Sequence, residues 1–351
     1  MTYCATQPEV HPVWSNCFDS RGNTSSVESV VIAWMDADYT ASEAVRFVSY
    51  HLLLGAGLVA VLDNTRCLPT PVRDAALARF DAGNVLHVSR FRCLNFSTPL
   101  QLHGYYGVVQ HLQASGRLQD KALVVAIDSD ELVVLPPEWT FGRLRDAMLE
   151  RRVCAAFLSW HMFGSSGHVC EPTGGLLPSF TRRAPTEAEV SAEARHAAIV
   201  EHQTHGLNPP YHYAYAAGKR VYPGKTVWIH GETMGGGVHD CPWCKRRNVS
   251  LGPELVSCGY ANATPAVCRE LDDIGALNHY AYRSQMAWSK KKARSKLVQR
   301  SGDVPSFYEQ VEDRAAIEMA RARIERVANI RGGQHQAQCL FSTLLATSAI
   351  A

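Results

Sequence analysis

The sequence predicts an α/β protein: a mostly parallel sheet with helices on both faces, then an irregular half and a helical C-terminal tail. Three observations predict it. Apolar, β-branched runs of strand length alternate with segments of helical periodicity from Val27 to Trp160. Such alternation means parallel strands joined by right-handed crossovers. The composition, 46% hydrophobic and 19% charged over 351 residues, supplies a sizeable core and excludes a disordered chain.

The elements follow in order. Residues 1–27, rich in Pro, Ser, Asn and Gly, read as an irregular lead-in. Val27–Trp34 is a buried strand. Thr40–Leu54 has helical spacing, with Ser42 as N-cap and Gly55 as stop. Leu58–Leu62 is a strand ending at Asp63 and Asn64, Pro71–Phe80 a helix, and Val85–Val88 a strand. Pro99–Ala114 is a helix, and Ala122–Ile127 a strand running into Asp128-Ser129-Asp130-Glu131. Phe141–Glu150 is a helix and Val153–Trp160 a strand. Further on, Thr186–Gln203 reads as helix, Gly224–His230 as strand, and Tyr282–Val298 and Pro305–Ile330 as charged helices. One domain over 28–300 with a helical tail over 301–351 accounts for the pattern.

Charge and hydropathy narrow the partners. Lys+Arg number 35 and Asp+Glu 33, a net charge of +2, which is not the basic profile of a nucleic-acid-binding domain. The longest apolar run, Leu52–Leu62, falls short of the ~20 residues of a membrane span. Met1–Pro8 has no apolar stretch of signal-peptide type. The cytoplasm stays open as the compartment, and so does the secretory or Golgi lumen if the chain is cut from a longer anchored protein. Four Asn-x-Ser/Thr triplets, at Asn23, Asn95, Asn248 and Asn262, lean toward a secretory route. The 11 cysteines allow disulfides with at least one thiol left over.

Ligands of open α/β sheets lie beyond the carboxyl ends of the strands. Acidic residues stand there three times: Asp36 with Asp38, Asp63, and Asp128 with Asp130 and Glu131. Carboxylates as close as Asp128 and Asp130 repel unless a cation neutralises them. Mg²⁺ or Mn²⁺ suits such hard oxygen ligands and bridges to a diphosphate. The plain alternative is a turn or N-cap cluster. After the strand at Trp160 comes Phe163-Gly164-Ser165-Ser166-Gly167-His168. A Gly-Ser-Ser-Gly loop brings backbone N–H groups close to a ligand, and Trp160 and Phe163 can stack on a sugar; a tight turn among core aromatics is the bland reading. Lys225 can neutralise a phosphate, and His239 can bind metal or diphosphate. Asn278-His279-Tyr280, Arg283 and the basic run Lys290–Arg294 can meet an anionic leaving group, although a solvated helix face explains many such cations. Cys241-Pro242-Trp243-Cys244 leaves a Zn²⁺ half-site, a local disulfide or plain thiols open.

Together these residues carry a resemblance. Tyr50–Asn64 resembles the "yHl.lG…yDN" segment of glycosyltransferase family 92 and the related family 2-like enzymes. Ile127–Leu132 is similar to their "DxDEF", with Leu132 in place of Phe, and Trp160–His168 to their "W..FGSSGH". Lys225-Thr226-Val227 resembles "KsIv", Val238-His239 the later "vH", and Asn278–Ser284 "HY..KS", followed by the basic helix. The matches keep their order over roughly residues 30–300.

The resemblance implies a GT-A fold with a nucleotide-binding half and an acceptor-binding half. It implies inverting transfer of a hexose, with UDP-galactose as donor for several members, to a glycan hydroxyl. It implies a divalent ion, usually Mn²⁺, held by Asp130 directly, with Asp128 touching metal or ribose and His279 or His239 as a later metal or phosphate contact. Asp63 would sit near base and ribose, with Asp36 and Asn64 on the same donor side. Lys225 or Arg283 would assist the leaving diphosphate. Trp160, Phe163, Gly164, Ser165, Ser166 and Gly167 would line the acceptor. Glu171, Asp240 and His168 are the candidates for the general base. Two departures stand out. Met35-Asp36-Ala37-Asp38 replaces the usual Lys-Asn-Glu loop, with Glu43 kept as the helix acid, and Arg283 stands where Lys is usual. The competing classes are a non-catalytic glycan- or nucleotide-sugar-binding scaffold, a nucleotide-sugar hydrolase, and a redox protein built on Cys241 and Cys244.

Overall fold

A computed structural model describes residues 26–36, 39–64, 71–80, 83–88, 100–172, 174–204, 211, 213–214, 220–221, 224–234, 243–244, 274–294, 306–330 and 333–345. The lead-in to residue 25, the four Asn-x-Ser/Thr triplets, Asp38, His239, Asp240 and Cys241 lie outside them.

The first part alternates as the sequence predicts: β1 (Val27–Asp36), α1 (Ala41–Leu53), β2 (Leu58–Asn64), α2 (Pro71–Leu77), β3 (Val85–Val88), α3 (Leu100–Ala114) and β4 (Leu118–Asp128). Then come β5 (Glu131–Val134), α4 (Phe141–Glu150), β6 (Ala155–Met162), the single turn α5 (Leu176–Ser179), β7 (Arg182–Arg183) and α6 (Ala192–Thr204). Short strands β8 (Tyr213–Ala214) and β9 (Arg220–Val221) precede β10 (Gly224–Ile229), and β11 (Thr233–Met234) pairs with β12 (Trp243–Cys244). The chain ends with β13 (Ala276–His279), α7 (Gln285–Arg294), β14 (Val311–Glu312), α8 (Ala315–Asn329) and α9 (Gln334–Leu344).

The main sheet has eight strands in the order β3-β2-β1-β4-β10-β6-β13-β5. It is mostly parallel; only β10 and β5 run against the rest. β1 shows why Val30–Met35 is an unbroken apolar run. Val31, Ala33 and Met35 join a core with α1, α4, α8 and α9, while Val30 and Ile32 join a second core under α3. A strand covered on both faces needs apolar residues at both parities.

Several boundaries differ from the sequence reading. Thr40, not Ser42, caps α1: its hydroxyl accepts from Glu43 N at 3.2 Å, and Glu43 Oε2 accepts from Thr40 N at 2.7 Å. That reciprocal box needs three-residue spacing, which Ser42 lacks. Gly55 ends the helix at φ +84°, a conformation that suits glycine. The helix expected over 186–203 is interrupted by extended Val190, and Ser191 caps the remainder through Ala194 N at 3.2 Å. The segment expected as one helix over 305–330 begins as a 3-10 turn (Ser306–Glu309). It then lends Val311 and Glu312 to β7, and only afterwards enters α8. Asp313 makes that break, capping Ala315 N at 2.9 Å while it pairs with Arg183 at 2.5 Å. The helix expected over 282–298 starts at Gln285, after Ser284 Oγ accepts from Ala287 N at 3.1 Å.

The C-terminal helices pack back onto the sheet's helical layer. Ala316, Met319, Ala320 and Ile324 of α8 and Ala337, Leu340 and Leu344 of α9 belong to the core that α1 covers. Arg46 of α1 donates to the Thr343 carbonyl at 3.2 Å. Among the described residues, no helix is long and apolar enough to cross a membrane. Cys154, Cys170 and Cys339 are disulfide-bonded.

Candidate active site

Parallel strands deliver their carboxyl ends to one edge, and the register aligns the acids there. Asp36 pairs with Asn64, Met35 with Asp63, and Trp34 with Asp128. Because β10 runs the other way, its first residues, Gly224 and Lys225, reach the same edge. β6 and β13 bring Trp160 and His279.

The turn from β4 to β5 is tied from several directions. Ser129 N donates to Trp34 O at 3.1 Å, Asp128 N to Glu131 Oε2 at 2.8 Å, and Tyr280 N to Asp130 O at 2.8 Å. Glu131 is fully buried and accepts from Trp160 Nε1 at 2.7 Å. Burial, aided by the charges of Asp128 and Asp130, pushes its carboxyl up to about 8 against the pull of Lys225. Lys225, also fully buried, places Nζ 2.8 Å from Asp128 Oδ2 and 3.9 Å from Glu131 Oε2. Burial lowers the affinity of that amine for its proton, but Asp128 and Glu131 outweigh it, so its pKa rises. Gln101 donates to Asp128 Oδ1 and, at 2.8 Å, to Tyr105.

Beyond the turn, His279 Nε2 lies 3.7 Å from Asp130 Oδ1, with its ring 4.5 Å from Trp160. Buried Tyr39 sits beside Ser129 and Asp130. The Arg283 guanidinium lies over its ring at 5.2 Å, pairs with Glu43, and comes within 3.7 Å of Glu171. Glu171 Oε1 accepts from Ser284 Oγ at 3.0 Å. The structure therefore links the acidic turn to Glu171 through Tyr39 and Arg283.

Other expected residues lie elsewhere. Phe163 is buried against Tyr280 at 4.7 Å, so its ring is core and not a stacking surface. Gly164 and Ser165 are buried; Ser165 Oγ and Ser166 N both donate to Glu309 Oε1 at 2.9 Å. Ser166 Oγ accepts from Thr181 N and Arg182 N at 3.0 Å. An internal carboxylate thus fills the cradle expected for a ligand, and only Gly167 stands exposed. Trp160 remains partly exposed, its indole N–H committed to Glu131. His168 Nε2 faces the Ser179 carbonyl at 2.9 Å, which fixes the ring in its own loop. Lys225 is enclosed with carboxylates, and is not presented to a diphosphate. Asp36 and Asn64 stay toward solvent, joined by an Asn64 Nδ2 to Asp36 Oδ1 bond of 2.6 Å. Asp63 is buried, 3.2 Å from Arg73 and 3.6 Å from His87.

Among the described residues, the group of His, Cys, Asp and Glu side chains close enough to share one ion is Asp63, Asp74 and His87. Sequence reasoning missed Arg73, Asp74, His87, Gln101 and Tyr39. Their partners are distant in the chain, and no local motif marks them. The Cys241–Cys244 motif appears only as the backbone of Trp243 and Cys244 in β12.

No family model matches this chain, and no curated protein matches it.

Proposed function

We propose that this protein is a metal-dependent glycosyltransferase that moves a hexose from a nucleoside-diphosphate donor to a glycan hydroxyl. The observation that carries the reading is the Asp128-Ser129-Asp130-Glu131 turn at the carboxyl edge of the sheet, with Asp130 facing His279 and Asp128 held by Lys225. The ordered resemblance to family 92 glycosyltransferases supports the same class and points to UDP-galactose as donor, with inversion.

A carboxylate beside an imidazole suits Mn²⁺ better than Mg²⁺. Asp130 Oδ1 and His279 Nε2 stand 3.7 Å apart, wider than the ~3.0 Å between neighbouring ligands of an octahedral ion at bond lengths of ~2.1 Å, so the two side chains would draw together on a bound ion. Bound there, the metal would offset the charge that gathers on the leaving diphosphate. The chain's own residues do the rest. Lys225, Gln101 and Glu131 hold Asp128 in one orientation. Asp36 and Asn64 face the donor side. Glu171, partly exposed and oriented by Ser284 and Arg283, takes the acceptor proton. Acceptor oxygen forms the new bond to the anomeric carbon as the anomeric carbon–phosphate oxygen bond breaks, and the electron pair leaves with the diphosphate.

The test is nucleotide release from a panel of UDP-, GDP- and CMP-sugars, with and without Mn²⁺ and glycan acceptors. The expected result is metal-dependent release from one donor that accelerates when an acceptor is added. Equal release with and without acceptor would make the protein a hydrolase. No release and no donor binding would leave a scaffold or redox role.

A further inference from the structure

A second cluster lies where β2 and β3 end, independent of the glycosyl-transfer reading. In the β2–β3 register, His87 stands opposite Val61. Side chains two apart in a strand share a face, so Asp63 and His87 lie on the same side of the sheet. That face also receives Leu77 of α2, which packs with Val61 and Val85. The first turn of α2 supplies Asp74.

The imidazole lies between two carboxylates. His87 Nε2 is 3.6 Å from Asp63 Oδ2, and His87 Nδ1 is 3.8 Å from Asp74 Oδ1. Neither separation is a hydrogen bond, which for nitrogen and oxygen falls at ~2.7–3.2 Å. Nε2 is nevertheless buried without a hydrogen-bond partner, and it faces a carboxylate that is 0% exposed. A gap of 3.6 Å is too long for a shared proton. It is close to the ~3.4 Å between two ligands of one tetrahedral ion. Arg73 approaches Asp63 through the other carboxylate oxygen, Oδ1, at 3.2 Å. One ligand atom from each of Asp63, Asp74 and His87 falls within 4.8 Å of the others. Asp74, at 44% side-chain exposure, lies on the solvent side of that set.

We propose that Asp63, Asp74 and His87 bind one divalent transition-metal ion, separate from the Asp128–Asp130 turn. One imidazole with two carboxylates selects the borderline ions, Zn²⁺ ahead of Mn²⁺, over Mg²⁺ or Ca²⁺. The ion clamps α2 to the ends of β2 and β3, and its outer side opens to water past Asp74.

Cobalt titration of the full, chelator-treated chain tests this. Co²⁺ reports its ligands by visible absorption, and thiolate ligation adds a charge-transfer band. The wild type should take up one Co²⁺ at this cluster with no thiolate band, beside any held at Asp130 and His279, and Zn²⁺ should displace it. His87→Gln should abolish that uptake. Asp74→Asn, an isosteric change at a half-buried position, should weaken it at least ~10-fold. Asp130→Ala, which removes a ligand of the other proposed site, should retain the uptake at Asp63, Asp74 and His87. Uptake that carries a thiolate band, uptake equal in wild type and both cluster variants, or no uptake in folded wild type would each overturn the proposal. Circular dichroism of the two cluster variants establishes that each is folded.

Discussion

Replacing Lys225 by Met removes the cation from a site where two carboxylates stay behind. The Lys225 side chain is 0% exposed, and its Nζ lies 2.8 Å from Asp128 and 3.9 Å from Glu131. Breaking a buried pair from one side costs up to about 3–5 kcal/mol; Asp128 keeps its Gln101 donor and 33% exposure, so the loss falls toward the lower end of that range. An unfolding entropy of about 2.1 cal/mol/K per residue over a chain of this length turns that lower end into a fall of about 4 °C in Tm. Calorimetric or fluorescence melting at neutral pH measures it. A double variant, Lys225→Met with Asp128→Asn, separates charge from packing. Removing the Asp128 carboxylate should recover part of the loss, so the two effects should be non-additive by at least about 1 kcal/mol. A Lys225→Met protein that melts with the wild type would refute the reasoning, as would strictly additive variants.

Three further outcomes follow from the same contacts. His51 is buried, with Nδ1 donating to Phe47 O at 2.9 Å, and burial lowers its pKa from 6.5 to about 3. Between those values the unfolded chain binds a proton that the folded chain refuses. Stability should therefore fall as pH drops below 6.5, by up to about 1.4 kcal/mol per unit, and urea midpoints of His51→Leu should show a flatter profile. Trp160→Phe leaves the buried Glu131 without its indole donor at 2.7 Å, and should cost about 1–3 kcal/mol in denaturant unfolding. A Cβ on Gly164 would meet Glu309 Oε1 at 2.5 Å and the Tyr308 carbonyl at 2.6 Å. Gly164→Ala should destabilise by about 1–3 kcal/mol in the same assay.

The central sheet was legible because its strands are buried on both faces, so Val30–Ala33 and Leu123–Ile127 announce themselves as unbroken apolar runs. Strand direction was not. Gly224–Ile229 has the composition of a parallel core strand, yet it runs antiparallel between β4 and β6. β5 and β13 are four residues each, too short for a periodicity to appear. Their residues had been visible only as motif letters. The tail misled for a different reason: Asp313 interrupts a helical pattern through a pairing with Arg183, 130 positions away.

The site divides along the same line. Asp128, Asp130 and His279 stand at strand ends, where chain order and the parallel topology suffice to bring acids to one edge. Phe163, Gly164 and Ser165 sit beside that edge in sequence, but Glu309 and Tyr280 occupy their polar and apolar surfaces. Lys225 was legible as a cation near the acids, whereas its enclosure depends on which way β10 runs. Asp74 and His87 belong to separate elements and meet only when α2 folds over β3.

Equilibrium binding of UDP with Mn²⁺, measured by calorimetry on wild type and Asp130→Ala, tests the functional reading most directly. UDP should bind the wild type in the presence of Mn²⁺, bind far more weakly after chelation, and lose its metal dependence in Asp130→Ala. UDP that binds equally well with and without metal, or equally well to Asp130→Ala and wild type, would contradict it.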